Sequence, residues 1–413
     1  MTNWHTWLIE PHDPLIARDG RPFNNTPGAR ATSLPFPVPT TVAGATRTLA
    51  GSDPNTGHFT AQPEDVRKWA MRGPLLVELH GVTPDITWLL PAPADALLLT
   101  HADSNLALRK QLVPLTNAQA TSDLESDLCL IGTRDYDPAK PLANPPTYWR
   151  WEQLWGWLHA AKHADKDVTI SALGHRGPVA EGRIHVGIDQ ATQTASEGML
   201  FQTRGLEFTH RERDASLQQA VRMALALASD APLRAAIAPV GGERRLARWQ
   251  KVNAPLPGNN EQIATISTAI ATAGGCRVLL LTPALFNGGF RPNTQSYLMQ
   301  PLVGTNIQIT LRGVAIGRAQ VLSGWDMEQG GPKPTRRFVP AGTVLFLNVQ
   351  GDSTAIQNWV EDHWMHCVSD GEQERRDGFG LAVFGAWSGE PEAIIWGQSH
   401  AKTADSTTTK SHS

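Results

Sequence analysis

The chain is poor in cysteine. Three thiols, Cys129, Cys276 and Cys367, are scattered through 413 residues without a CxxC pair. That argues against a disulfide framework and a zinc ribbon and suits a reducing compartment. Long apolar runs are missing as well: no stretch reaches the ~18 residues that a membrane-spanning helix needs. The opening MTNWHTWLIEPHDP has no basic segment followed by an apolar one, so no secretory leader is expected and the expected setting is soluble and cytoplasmic. Charge of one sign is also lacking. With 36 Lys and Arg against 39 Asp and Glu the formal charge is -3, so any polyanion site has to be a local patch. There is no GxxxxGK[ST], no GxSxG, and no GxGxxG opening a helix after the first strand. Tyrosine is scarce, three residues against fourteen tryptophans, and nothing in the sequence explains that ratio.

Glycine and proline are abundant, 36 and 30 residues, together roughly a sixth of the chain where ~12% is usual. Dispersed between apolar runs, they mark turns around short strands. Trp7-Leu8-Ile9 predicts an opening strand. Val42, Ala45, Thr46 and Leu49, at i, i+3, i+4 and i+7, predict a helix capped by Thr40 or Thr41 and stopped at Gly51. PLLVELHGVTPDITWLLP predicts two strands with a turn at Thr83-Pro84-Asp85, and ALLLTHA a third. Residues 120–140 are polar and acid-rich, a surface insertion. Thr147 caps a helix with Trp151, Leu154, Trp155 and Leu158 on one face, leaving Trp149 and Trp157 off it as contacts for a partner. GRIHVGIDQ is the next strand.

A second set follows: a strand at GMLFQTRGLEF, and a helix at DASLQQAVRMALALAS capped by Asp214, with Leu217, Val221, Leu225 and Ala228 on one face. Then come a strand at LRAAIAPVG, a helix at NNEQIATISTAIATAGG, and four strands at CRVLLLTPALF, NIQITLRGVAI, AGTVLFLNV and GFGLAVFGAW. The first set has the order of a βαββαβ ferredoxin-like unit. The expected class is therefore α+β, two ferredoxin-like (RRM-like) units in tandem over 1–195 and 196–400, with long loop insertions. A disordered low-complexity tail over 401–413 completes the chain.

Catalytic patterns are weak. His159 and His163 are four apart, but Ala, Ala and Lys stand between them where a metalloprotease helix would carry its glutamate. Glu361, Asp362, His363, His366 and Cys367 cluster without a second group at ligand spacing, and Asp135 and Asp137 lie in the polar insertion. No catalytic, metal or cofactor site is expected. Anion binding has better support. Arg18 and Arg21 flank the turn Asp19-Gly20, and Arg47 lies on a helix whose start follows Thr40-Thr41, where backbone N–H groups favour phosphate. Arg244 and Arg245 follow the Gly241-Gly242 turn in a segment with five basic residues and one acid. Arg336 and Arg337, with Lys333, adjoin Phe338, a basic-aromatic pairing suited to a nucleic-acid strand. In RRDGFGLAVFGAW, Gly378 and Gly380 bracket Phe379, either a stacking platform for a base or a bulge at a strand start.

The segments DPLIARDGRPF, LPFPVPTTVAGATRTL, GRIHVGIDQATQTASEGMLFQTRGLEF, PVGGERRLARW and DGFGLAVFGAW resemble, in order and spacing, one family of the RAMP superfamily. This is the third-subunit family of the Cmr module in type III-B CRISPR effectors. The resemblance implies a non-catalytic, cytoplasmic RNA-binding subunit of an antiviral ribonucleoprotein that holds the repeat-derived 5′ handle of the crRNA. It also implies docking beside the large signature subunit and a backbone RAMP subunit, with target RNA met only indirectly and no membrane. Rival readings remain. A metal-independent RAMP endoribonuclease would enlist His5, His12, His175 or His185. The equivalent subunit of a type III-A effector, or a tryptophan-rich sugar- or peptide-binding protein, are the others.

Overall fold

The computed structural model describes residues 4–18, 30–31, 33–81, 85–116, 122–125, 127–210, 220–326 and 330–395. Arg21, the turn at Thr83-Pro84, Asp214, Leu217 and the tail over 401–413 lie outside them. The fold is mixed α+β, with antiparallel sheets predominating.

In the first part of the chain run β1 (His5–Pro11), α1 (Pro39–Gly51), β2 (Met71–His80), β3 (Asp85–Pro91), β4 (Tyr148–Arg150) and α2 (Trp151–Leu158). They are followed by β5 (Val179–Ile188), β6 (Ala195–Glu207), β7 (Val221–Ser229), β8 (Ala236–Pro239) and β9 (Leu246–Val252). The main sheet is ordered β4-β3-β2-β7-β1-β9-β8, with the short strand Gly174–His175 beyond β4. On β7, Leu225 lies opposite Ile9 of β1 and Leu76 of β2.

That segment corrects the expected helix at DASLQQAVRMALALAS. Every residue from Met223 to Ser229 is buried. Met223, Leu225 and Leu227 pack on one side of the sheet with Val42 and Leu49 of α1. Ala224 and Ala226 pack on the other with Leu8 and Leu75. A strand buried on both faces is apolar at every position, and such a run also satisfies helical spacing. The strand expected to close the first βαββαβ set is corrected too. β5 does not join the main sheet; it pairs with β6 in a long hairpin, alongside the short strand Arg30–Ala31.

α1 begins at Pro39, whose ring pre-sets φ for a first helical residue, and its N-cap is Val38 with no side-chain cap. Thr40 and Thr41 are therefore inside the helix, not its cap. On α2 the buried residues are Leu154, Trp157 and Leu158. Trp149 (1% exposed) and Trp157 (0%) are core residues, which removes them as partner contacts.

The remaining elements are α3 (Asn260–Ala273), β10 (Gly275–Leu280), β11 (Gln308–Ala315), β12 (Arg336–Phe338), β13 (Val344–Gln350), α4 (Ser353–His363), α5 (Glu372–Asp377) and β14 (Ala382–Trp387). A second sheet is ordered β11-β13-β10-β14, and α3 and α4 pack on each other against it. One continuous apolar cluster joins the two sheets, from Leu8, Leu75 and Trp149 to Phe346, Phe384 and Trp387. Through it runs a fully buried ion pair: Arg277 Nη1 donates to Asp95 Oδ2 at 2.8 Å, and Trp157 Nε1 to Asp95 Oδ1 at 2.9 Å. Two charges this deep persist only because their donors and acceptors are met.

Candidate nucleic-acid interface

Two of the basic segments meet at the loop after β1. The Gly242 N–H donates to Ile16 O at 2.7 Å, and the Leu34 N–H to Ala17 O at 2.7 Å. Gly241 has φ +75°, and a Cβ there would stand 2.5 Å from Ile16 O. Only glycine allows the turn to sit so close to this loop. A short 3-10 turn, Gly242–Arg244, follows, with Glu243 and Arg244 at φ 56° and 53°. Two consecutive non-glycine residues in the left-handed region are a local strain. They present Arg244 to solvent, while Arg245 turns back to Glu243 at 3.1 Å. The stem of Arg18 lies over Gly242, its Cδ 3.6 Å from where a Cβ would be. Arg18 thus lies against the turn that carries Arg244, although the two arginines are 226 positions apart.

The third segment joins through a small apolar cluster. Val38, Leu322, Phe338 and Phe379 are buried together, with Leu34 and Leu285 packed against them. Leu34 neighbours Ser33, which bridges Arg18, so the loop after β1 continues into this cluster. β12 brings Arg336 and Arg337 to its rim. Arg336 donates to Glu374 at 2.6 Å and covers the Phe338 ring at 5.5 Å; Arg337 and Lys333 are exposed. The segments that carry Arg18, Arg244, Arg336 and Arg337 are thus brought together around the loop after β1.

Sequence reasoning missed Arg204 of β6. Its carbonyl accepts the Ser33 hydroxyl, and its side chain is exposed beside the Arg18 loop. Period-two alternation in GMLFQTRGLEF was the available signal, but not which face met which loop.

Five expected contact residues are corrected. Phe379 is 1% exposed and stacks on Phe338 at 4.7 Å, so its ring is a core group, not a platform for a base. Gly378 and Gly380 have packing roles: a Cβ would stand 2.4 Å from Gly73 O and 2.8 Å from Ser369 N respectively, and both have positive φ. Arg47 points inward, donating to Asp377 at 2.7 Å and to Trp69 O at 3.0 Å. It ties α1 to α5 and is not free for phosphate. Thr41 donates its N–H to Val38 O within the first helical turn, which removes that amide from any anion.

Several of the described histidines are engaged in hydrogen bonds and ring contacts. His175 Nε2 donates to Glu78 Oε2 at 3.0 Å, with Arg150 Nη2 3.2 Å from the same oxygen. The hydrogen bond from His175 leads in holding Glu78 down at about 2. His185 meets Thr203 Oγ1 at 2.9 Å and stacks on Phe201. α2 ends at Leu158, so His159 and His163 do not share it; His163 stacks on Trp157 at 4.1 Å, and burial pushes it down to about 4. His363 is buried between Trp359 O and Tyr297 O. Among the described residues, no group of three or more His, Cys, Asp or Glu side chains is arranged to hold a metal ion. No described helix is long and apolar enough to cross a membrane.

A family model described as CRISPR-associated protein (Cas_Cmr3) matches residues 7–387. Solved structures that the chain is similar to include one of the type III-B Cmr-beta bound to cognate target RNA and AMPPnP. That match has 15% identity and a TM-score of 0.44, covering 86% of this chain and 88% of that one. Another is the type III-B Cmr-beta bound to cognate target RNA, with 14% identity, a TM-score of 0.43, and 83% and 86% coverage. No curated protein matches.

Proposed function

From the chain's membership of the CRISPR-associated Cmr3 family, a subunit type of the type III-B Cmr effector, we propose that it is the non-catalytic subunit holding the crRNA 5′ handle. In this role it bridges the large signature subunit and a backbone RAMP subunit in antiviral defence. The observation that carries the reading is that the segments bearing Arg18, Arg204, Arg244, Arg336 and Arg337, remote in sequence, meet around the loop after β1. Arginines so gathered suit the phosphates of a single strand, which are met without reading base sequence. The C-terminal sheet, whose four strands stand 2-3-1-4 in chain order with two helices against it, supports a ferredoxin-like unit there, although its first helix precedes the first strand.

The test is recovery and sequencing of RNA bound to the tagged chain co-expressed with the other subunits. Enrichment of crRNA with an intact repeat-derived 5′ end is expected, and Arg18→Ala/Arg244→Ala should lose most of it while melting as wild type. Site-specific cleavage of precursor RNA by the chain alone, abolished by His175→Ala or His185→Ala, would replace this reading with the nuclease one.

A further inference from the structure

α5 has a second side. While Glu374 reaches Arg336 and Asp377 reaches Arg47, Arg375 and Arg376 help line a cavity of about 320 Å³ with Trp4, Arg72, Tyr297 and His366. Arg72 of β2 is the unusual group. Its Nη2 lies 2.5 Å from His366 Nε2, and its guanidinium covers the Trp4 ring at 4.3 Å. Among the described residues no carboxylate lies within 4.0 Å of it. A guanidinium carries five N–H donors, and these contacts engage one of them and one ring face. Burial draws Arg72 below its ordinary pKa, and His366 is pushed down to about 4 by burial and by Arg72. His366 Nδ1 is itself buried without a hydrogen-bond partner.

The other cations do not offset this. Arg375 donates to Ser369 O and Asp370 O at 2.7 Å each and faces the Tyr297 ring. Arg376 pairs with Glu372 at 2.5 Å. Three guanidiniums therefore border the cavity with one carboxylate, Glu372, among its walls. Arg72 is half-buried with its remaining N–H groups open to the cavity and solvent, and the nearest acid acting on it, Asp230, stands beyond ion-pair distance. Such a guanidinium in a concave site with aromatic walls suits a bound anion.

We propose that this cavity binds one nucleotide, its phosphate drawn to Arg72 and its base lying among Trp4 and Tyr297. The volume, at the lower end for small-ligand sites, admits a single nucleotide and no more. The nucleotide is either free or one unit of a strand. Choosing a nucleotide over another phosphate rests on the RNA-holding role proposed above; the anion site stands on its own residues.

The full chain is titrated by calorimetry with adenosine 5′-monophosphate, inorganic phosphate and a handle-sequence single-stranded RNA, while the His366 ring resonances are followed by NMR. Binding of the mononucleotide with movement of His366, weakened at least tenfold in Arg72→Gln, is the expected result for a free nucleotide. Movement of His366 with RNA alone assigns the site to one unit of a strand. Trp4→Ala should weaken the mononucleotide and leave phosphate unchanged, a readout that survives if Arg72→Gln folds poorly. RNA binding that leaves His366 unmoved, with no mononucleotide binding, overturns the pocket and leaves the RNA role intact. Mononucleotide binding without RNA binding does the reverse.

Discussion

Phe379→Ala separates two roles for one ring. Read from its flanking glycines, Phe379 stacks on a base, and its loss would cost about 1–3 kcal/mol of RNA binding with no effect on folding. Its position says otherwise: it is 1% exposed, stacked on Phe338, and among the described residues its cluster has Val38 and Leu322 as the further buried members. Deleting a buried phenyl removes its transfer free energy and leaves a void, roughly 3–5 kcal/mol in total. A cluster this small has few side chains to close the void, which favours the upper part of that range. With an unfolding entropy of about 2.1 cal/mol/K per residue over 413 residues, the melting temperature should fall by about 4–6 °C. Thermal melts followed by circular dichroism, paired with RNA titrations well below the transition, distinguish the two. A variant that melts as wild type yet loses RNA affinity would refute the packing role and return the ring to the RNA.

Arg47→Ala should destabilise by about 3 kcal/mol, because it leaves Asp377, which is 12% exposed, without its cation; chemical denaturation checks this, and the salt dependence of RNA binding should not change. Arg244→Ala and Arg337→Ala should do the opposite, each altering stability by less than about 0.5 kcal/mol. Each should also reduce the slope of log affinity against log salt by about 1, measured by filter binding across salt concentrations. Glu78, held at about 2 against an ordinary 4.5, contributes stability that is complete above pH 4.5 and lost as pH falls through about 2. Urea midpoints taken downward from about pH 6 should therefore fall less steeply for Glu78→Gln than for wild type.

Elements whose signals are local were legible in the sequence. α3 starts at Asn259, whose side chain accepts from the Gln262 N–H in a reciprocal capping box, and stops at Gly274 in the left-handed region. Such signals act within a few residues and survive any tertiary context. β7 was not legible, because burial on both faces erases the period that distinguishes strand from helix. On α2, tryptophans at 151, 155 and 157 make the helix apolar nearly all round, so the pattern did not select the face that buries Trp157. The basic segments were legible as charge, but charge does not name its partner. Arg47 is matched by Asp377, 330 positions away, and Arg244 remains exposed, a difference set wholly by the fold. The positive φ at Gly241 belongs to the same class: the double glycine announced a turn, while its approach to Ile16 O depended on a segment over two hundred residues upstream.

The position of β7 has a consequence for how the chain is made. β1 pairs only with β7 and β9 in the main sheet, and both follow residue 220. During synthesis the first strand to leave the ribosome therefore has neither neighbour, and β2 lacks the one that joins it to β1. Bringing ends this far apart in sequence together is slow, and unpaired apolar edges in the interval invite pairing with other chains. A nascent chain halted near residue 195 would hold both β1 edges open and should depend on chaperones to stay soluble. The strand made first is among the last to find its place.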